Sequence, residues 1–319
     1  MIRAIVRILP AVLLYALPAV AQQSRYTVPG GLGERRVDVH DAIHKARAET
    51  RWRLGFLDLE PRLAITDLGY VSNVFSTGVD ESTSDLRATA LAGLRGFFNL
   101  GPKVLVSPFA DLSHNWWQEQ TDLRSTNESY GVQVFGDFNR LQLSVQVGQT
   151  ETQRNLSSEV EVPIDLRADR VDLGFDIDFW GPFRLFAGAA TAEQRFSGTA
   201  AERNVPGLGL TTLDVDTERV NAGLGYELSS GLEIGLGVER AEATYLVDPE
   251  GRSSRGTGPL VRVLFRGSRL YLDLRAAWRD LEFASGQSAE RRELTGLAQL
   301  EWKLTEKLSA GVYGGNQLQ

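Results

Sequence analysis

Asp176 to Thr191 reads DIDFWGPFRLFAGAAT. Apolar Ile177 and Phe179 alternate with Asp176 and Asp178, Gly181-Pro182 interrupts, and Phe183, Leu185 and Ala187 resume the alternation around Arg184. A period of two on both sides of a Gly-Pro break predicts two antiparallel strands joined by a tight turn. The fold depends on where the apolar face of that hairpin goes. It can face a protein core, or it can face lipid.

The same unit recurs along the chain. Leu86–Leu100 turns at Gly101-Pro102 into Lys103–Trp117, and Ser129–Phe138 turns at Asn139-Arg140 into Leu141–Thr152. Arg219–Leu228, Pro259–Arg266 and Glu293–Leu304 each turn within a few residues into a second strand, giving a hairpin about every 40 residues. A further strand lies in Glu60–Phe75, which brings the strands read to 13. Connections alternate between turns of two to four residues and polar loops of about eight or more. Such a meander places every tight turn at one end and every long loop at the other, as in outer-membrane barrels. Greek-key sandwiches do not segregate loop length this way.

The first residues support an exported protein. Residues 1–21, MIRAIVRILPAVLLYALPAVA, combine Arg3 and Arg7, an apolar run and an Ala19-Val20-Ala21 cleavage pattern, which together read as a signal peptide. Residues 22–53 read as a periplasmic segment with one short helix, Asp38–Arg51, where Val39, Ala42, Ile43 and Ala46 share a face. That helix can dock on a partner or fold into the lumen as a plug. The barrel itself is expected over 54–319. Single-chain bacterial barrels have even strand numbers, and Gln319 is not a terminal aromatic, so a C-terminally truncated chain with 14 or 16 strands when complete is expected.

Strand faces divide by parity. On Arg269–Arg279, Leu270, Leu272, Leu274 and Trp278 oppose Tyr271, Asp273, Arg275 and Arg279. By this rule Arg87, Arg95, Asp111, Asp172, Asp176, Asp178, Arg184, Arg262, Arg266, Asp273 and Arg275 should line the lumen. Acids on Arg170–Trp180 face a basic set on Pro259–Arg279. Aromatics fall at two levels, the mark of membrane girdles. Phe98, Phe138, Phe179, Phe183, Tyr226 and Trp302 lie near tight turns, whereas Trp116, Trp117, Tyr130, Phe196, Tyr245 and Trp278 lie toward long loops.

Composition removes several functions. The chain of 319 residues has no cysteine and carries a net charge of −7, which exclude disulfides and thiolate chemistry and disfavour a nucleic-acid partner. His40 and His44 stand four apart on the helix but lack the Glu of a zinc-protease motif, so no metal and no cofactor are expected. Ser113 and His114 are strand neighbours pointing to opposite faces and cannot form a dyad with each other. No enzyme activity is therefore expected, with an outer-membrane hydrolase near His114 kept as a third reading.

The Ser72-Asn73-Val74-Phe75 element, an acidic loop after it and repeated two-faced hairpins resemble the β-barrel porin family of Gram-negative bacteria. Its members are often associated with exopolysaccharide systems. The resemblance implies an outer-membrane barrel with outer-membrane lipid around it, a polar solute such as polysaccharide within it, and periplasmic export components as partners. The expected function is passage of a polar solute through a hydrated lumen. A structural or adhesion barrel with a packed lumen is the alternative.

Overall fold

The computed structural model describes residues 39, 43, 52–54, 57–71, 84–155, 163–198, 209–248, 251–267, 269–284, 291–303 and 309–316. The signal segment 1–21, His40, His44, Ser72–Phe75 and Gln319 lie outside the described residues. Among the described residues, fourteen strands form one sheet in sequence order. They are β1 Trp52–Leu54, β2 Leu57–Val71, β3 Asp85–Leu100, β4 Val104–Trp117, β5 Ser125–Phe138, β6 Leu141–Asn155 and β7 Pro163–Trp180, followed by β8 Phe183–Ser197, β9 Val215–Ser229, β10 Leu232–Tyr245, β11 Ser254–Arg266, β12 Leu270–Phe283, β13 Arg291–Lys303 and β14 Ser309–Asn316. Each pairs antiparallel with its sequence neighbours, so the architecture is the expected all-β up-and-down meander. Among the described residues, β14 pairs with β13 and β1 with β2.

The count of 14 rather than 13 comes from β1, which begins before residue 54. Its three residues are too few to show a period, which is why the sequence does not reveal it. The first long strand starts earlier than expected, at Leu57 rather than Glu60, and its described part runs to Val71. Most strands run 13 to 18 residues, and some long-loop connections shrink accordingly to 118–124 between β4 and β5.

Register holds the two faces apart across the whole sheet. Ile177 pairs with Leu141 and Leu185, while Asp176 pairs with Gln142 and Phe186. A bulge between Ile65 and Asp67 keeps Leu63, Ile65, Leu68 and Tyr70 on one face, all more than two-thirds exposed. The opposite face carries the buried polar side chains, among them Asp111, Ser113, Arg262 and Asp273. A second bulge, between Asp178 and Trp180, ends the opening hairpin. There Trp180 stacks on Phe183 at 6.4 Å, and Phe183 meets Tyr226 edge-on at 5.2 Å.

Curvature is fixed by contacts that skip strands. The Arg262 guanidinium on β11 donates to Asp176 on β7, 3.0 Å away, although three strands lie between them. On a flat sheet those backbones would be roughly 19 Å apart. The charged face is therefore the concave one, and the apolar face is the outer surface.

Candidate functional site

The outer surface is a membrane belt. On β7 the outward residues from Val171 to Phe179 are apolar, and on β10 Ile234, Leu236 and Val238 stand exposed. Nine residues at about 3.3 Å each and a tilt near 40° span roughly 20–25 Å, the height of an outer-membrane belt. Phe138, Phe179, Tyr226 and Trp302 are exposed at the tight-turn rim, Phe98 and Phe183 half-buried there, and Trp116 and Trp278 are exposed at the other level. Beyond that level the outward face turns ionic, with the pairs Arg167–Asp169, Arg195–Asp216 and Arg240–Glu242.

Three aromatics expected in the outer girdle sit elsewhere. Trp117, Phe196 and Tyr245 occupy inward register positions, so parity overrides their level along the strand. Arg87 lies over the Trp117 ring at 5.6 Å, and Arg252 over Tyr245 at 4.2 Å. Phe196 joins Ile164 and Leu210 in a small core that folds the connection before β9 onto the inner face of β7 and β8. The Arg252 guanidinium donates to the Thr212 carbonyl, and the Leu246 N–H to that of Asp214 at 3.1 Å, tying two outer connections together. Asp248 sits in this outer region. Burial opposes its charge, yet donation from the Ser253 side chain and from the Ser253 and Arg252 amides, together with the nearby Arg252 charge, holds its carboxyl below the ordinary carboxylate range.

The inner face has two different walls. The charged wall spans β7 to β12. Arg184 bonds Asp178 at 2.7 Å and Glu233 at 3.1 Å, while Arg275 bonds Asp273 at 2.7 Å. Arg262 lies between Asp176, Asp273 at 3.7 Å and Glu233 at 3.9 Å, and Arg266 reaches Glu233 at 3.9 Å. Four arginines thus meet four acids, and the formal charges cancel. Arg170 and Asp172 form a separate pair at 2.6 Å. Arg279 and Glu239, both buried, approach to 3.6 Å further along. The acids of Arg170–Trp180 meet the bases of Pro259–Arg279 at Asp176–Arg262.

Phe186, on the inner face, shapes this wall. Its ring crosses β9 and β10 to reach Leu260 and Ala277 and stacks under Arg262 at 5.2 Å. Gly223 and Gly235 make that path possible, since a β carbon at 235 would come within 2.7 Å of the ring. The repeated Leu-Gly alternation in β9 and β10 is the sequence signal for this channel in the wall. Sequence reading passed over it.

The neutral wall spans β4 to β6. Its inward positions include Ser107, Ser113, Asn115, Ser125, Asn127, Ser129, Gln133, Gln142, Ser144, Gln146, Thr150 and Thr152. Their amides and hydroxyls bond across strands: Gln133 to Gln146 at 3.0 Å, Asn115 to Ser125 at 3.0 Å, Thr152 to Asn127 at 3.1 Å. The acids among these inward positions are Asp111 and Asp137. Asp111 is held bidentate by Arg62, at 2.6 and 2.7 Å, across Gly93, where any β carbon would strike its carboxylate. Arg95 lies 5.9 Å from the Phe109 ring at the edge of this wall. Ser113 is buried on the inner face, whereas His114 Nδ1 lies 3.0 Å from Thr126 Oγ1 on the outer face.

An exposed apolar belt, aromatic rings at two levels and a polar concave face define an outer-membrane β-barrel, and the chain belongs to that class. No family model matches the sequence, and no curated protein matches it. Similar solved structures are bacterial outer-membrane proteins. A ferric enterobactin receptor mutant from Pseudomonas aeruginosa has a TM-score of 0.49 and 11% identity, over 81% of this chain and 48% of that one. OmpT, an outer membrane protein of Vibrio cholerae, gives 0.37 and 11%, over 83% and 100%. OmpF of Salmonella typhi gives 0.32 and 9%, over 82% and 91%. The chain spans about half the length of the receptor, so the reading of its function rests on its own geometry.

Proposed function

We propose that the protein passes a polar, uncharged solute across the outer membrane. The supporting observation is the neutral wall, where Gln, Asn, Ser and Thr side chains from three adjacent strands offer donors and acceptors without fixed charge. Opposed donors and acceptors of this kind suit hydroxyl-rich solutes such as saccharides, and an exported exopolysaccharide handed over by periplasmic components is the corresponding cargo. Cancelled charge on the other wall leaves little field to select simple ions. No catalytic step is assigned, because Ser113 and His114 lie on opposite faces.

The test is reconstitution of the full chain in liposomes and planar bilayers. Swelling in neutral oligosaccharides with weak anion–cation discrimination is expected. A folded barrel giving neither swelling nor conductance would overturn the proposal. It would favour a packed, structural barrel, the reading supported by full burial of Arg262 and Asp273.

A further inference from the structure

Gly131 and Gly148 are register partners on β5 and β6, both at inward positions. A β carbon at 131 would collide with the Val147 carbonyl and lie 2.8 Å from the Gly148 α carbon, so the inner side of the sheet is pinched there. Pinching the concave side splays the convex one, and the outward side chains on either side of the glycine row part. Between them lies a groove of about 580 Å³ that crosses β5 to β8, the size of a small-ligand site.

The two borders of the groove differ in chemistry. One is Val132, Val147 and Val171, register partners in succession. The other is Gln149, Asp169 and Glu193, again in succession. Past the valines the outward positions of β7 stay apolar through Leu173 and Phe175, whereas past the polar row they turn ionic at Arg167. The groove thus straddles the line where the membrane belt ends, on the long-loop side that faces the outer leaflet. It is continuous with the lipid-facing surface, so its occupant is a membrane lipid with one apolar and one polar end.

The polar row selects the headgroup. Arg167 bonds Asp169 at 3.0 Å, Arg195 bonds Glu193 at 3.2 Å, and Gln149 donates to Glu151 at 2.6 Å. These donors are turned onto the protein's own acids, while each carboxylate keeps further lone pairs to offer. Sugar hydroxyls supply the matching donors. A phosphate brings acceptors and negative charge against two carboxylates. We propose that the groove binds one outer-leaflet glycolipid, its acyl chain along the valines and its sugar hydroxyls on Asp169 and Glu193. The site is independent of what the lumen carries.

Native mass spectrometry of the full chain in detergent tests this, with glucosyl diacylglycerol and phosphatidylglycerol of the same acyl chains as probes. A one-to-one adduct with the glucosyl lipid is expected, severalfold tighter than with phosphatidylglycerol. Val147→Trp, which fills the apolar half, should weaken it severalfold. Leu236→Trp, at an exposed belt position on β10, should leave it unchanged. If Val147→Trp fails to fold, Glu193→Leu should bring the glucosyl lipid down to the phosphatidylglycerol level, and Glu193→Gln, which keeps an acceptor, should retain most of the preference. Equal binding of both lipids, or preference for phosphatidylglycerol, overturns the sugar-headgroup assignment. A glucosyl adduct untouched by Val147→Trp and Glu193→Leu overturns the groove as its site.

Discussion

The charged and neutral walls solve one problem in opposite ways. Both must place polar groups on the concave face of a sheet whose convex face is apolar. The wall of β7 to β12 uses full charges in close mutual contact. The wall of β4 to β6 uses dipoles bonded to their cross-strand neighbours. Charges are costly to desolvate and tolerate burial only when paired, so the first wall is rigid and sensitive to the loss of a member. Amide and hydroxyl pairs cost less to break and re-form with a passing solute. On the proposed function, the charged wall serves structure and the neutral one serves traffic.

The largest effect is expected at Arg262, whose removal takes the buried central cation away from Asp176, Glu233 and Asp273. Arg262→Ala should lower stability by about 3–5 kcal/mol. Urea unfolding of the refolded barrel in detergent measures it, and a loss below about 1 kcal/mol would show that the neighbouring Arg184, Arg266 and Arg275 already suffice for these acids. Next comes Gly235→Leu, which drives a side chain into the Phe186 ring and should cost about 1–3 kcal/mol. The double variant with Phe186→Ala should recover part of that loss, which a double-mutant cycle reads out.

On the neutral wall, Gln146→Leu leaves the Gln133 amide without its partner and should cost only about 1 kcal/mol. Oligosaccharide swelling should slow while ion selectivity stays unchanged. Slowed swelling together with altered ion selectivity would erase the functional contrast between the walls. The smallest effect lies outside both walls, at Asp248. Its folded pKa lies below the ordinary 3.8, so its contribution is present above that value and is lost as pH falls through the folded one. Protease cutting at 246–253 should therefore rise in strong acid, and Asp248→Asn should show the raised rate at neutral pH as well.

Much of this was legible in the chain because two solvents enforce a period of two. Ile177, Phe179, Leu185 and Trp278 read as outward from alternation alone; Phe179, Leu185 and Trp278 stand exposed and Ile177 is half-buried. Trp117, Phe196 and Tyr245 did not read correctly, since aromatics serve both as girdles and as inner packing and only parity separates them. β1 escaped because three residues carry no period. Arg62 was not foreseen as the partner of Asp111, because the pair forms across an intervening strand through a glycine gap.

By itself the sequence determined a two-faced antiparallel meander with its short turns at one end, since local turn chemistry and side-chain alternation act within a few residues. DIDFWGPFRLFAGAAT was enough to show that Asp176 and Phe179 face different surroundings. Tertiary structure alone decided which charges meet, because Asp176 and Arg262 are 86 residues apart and come together only through curvature. It also decided that the helical face of Val39 and Ile43 turns inward onto Phe97, Leu105 and Phe135 rather than away from the barrel. An amphipathic face specifies that it needs a partner, and only the folded wall supplies one.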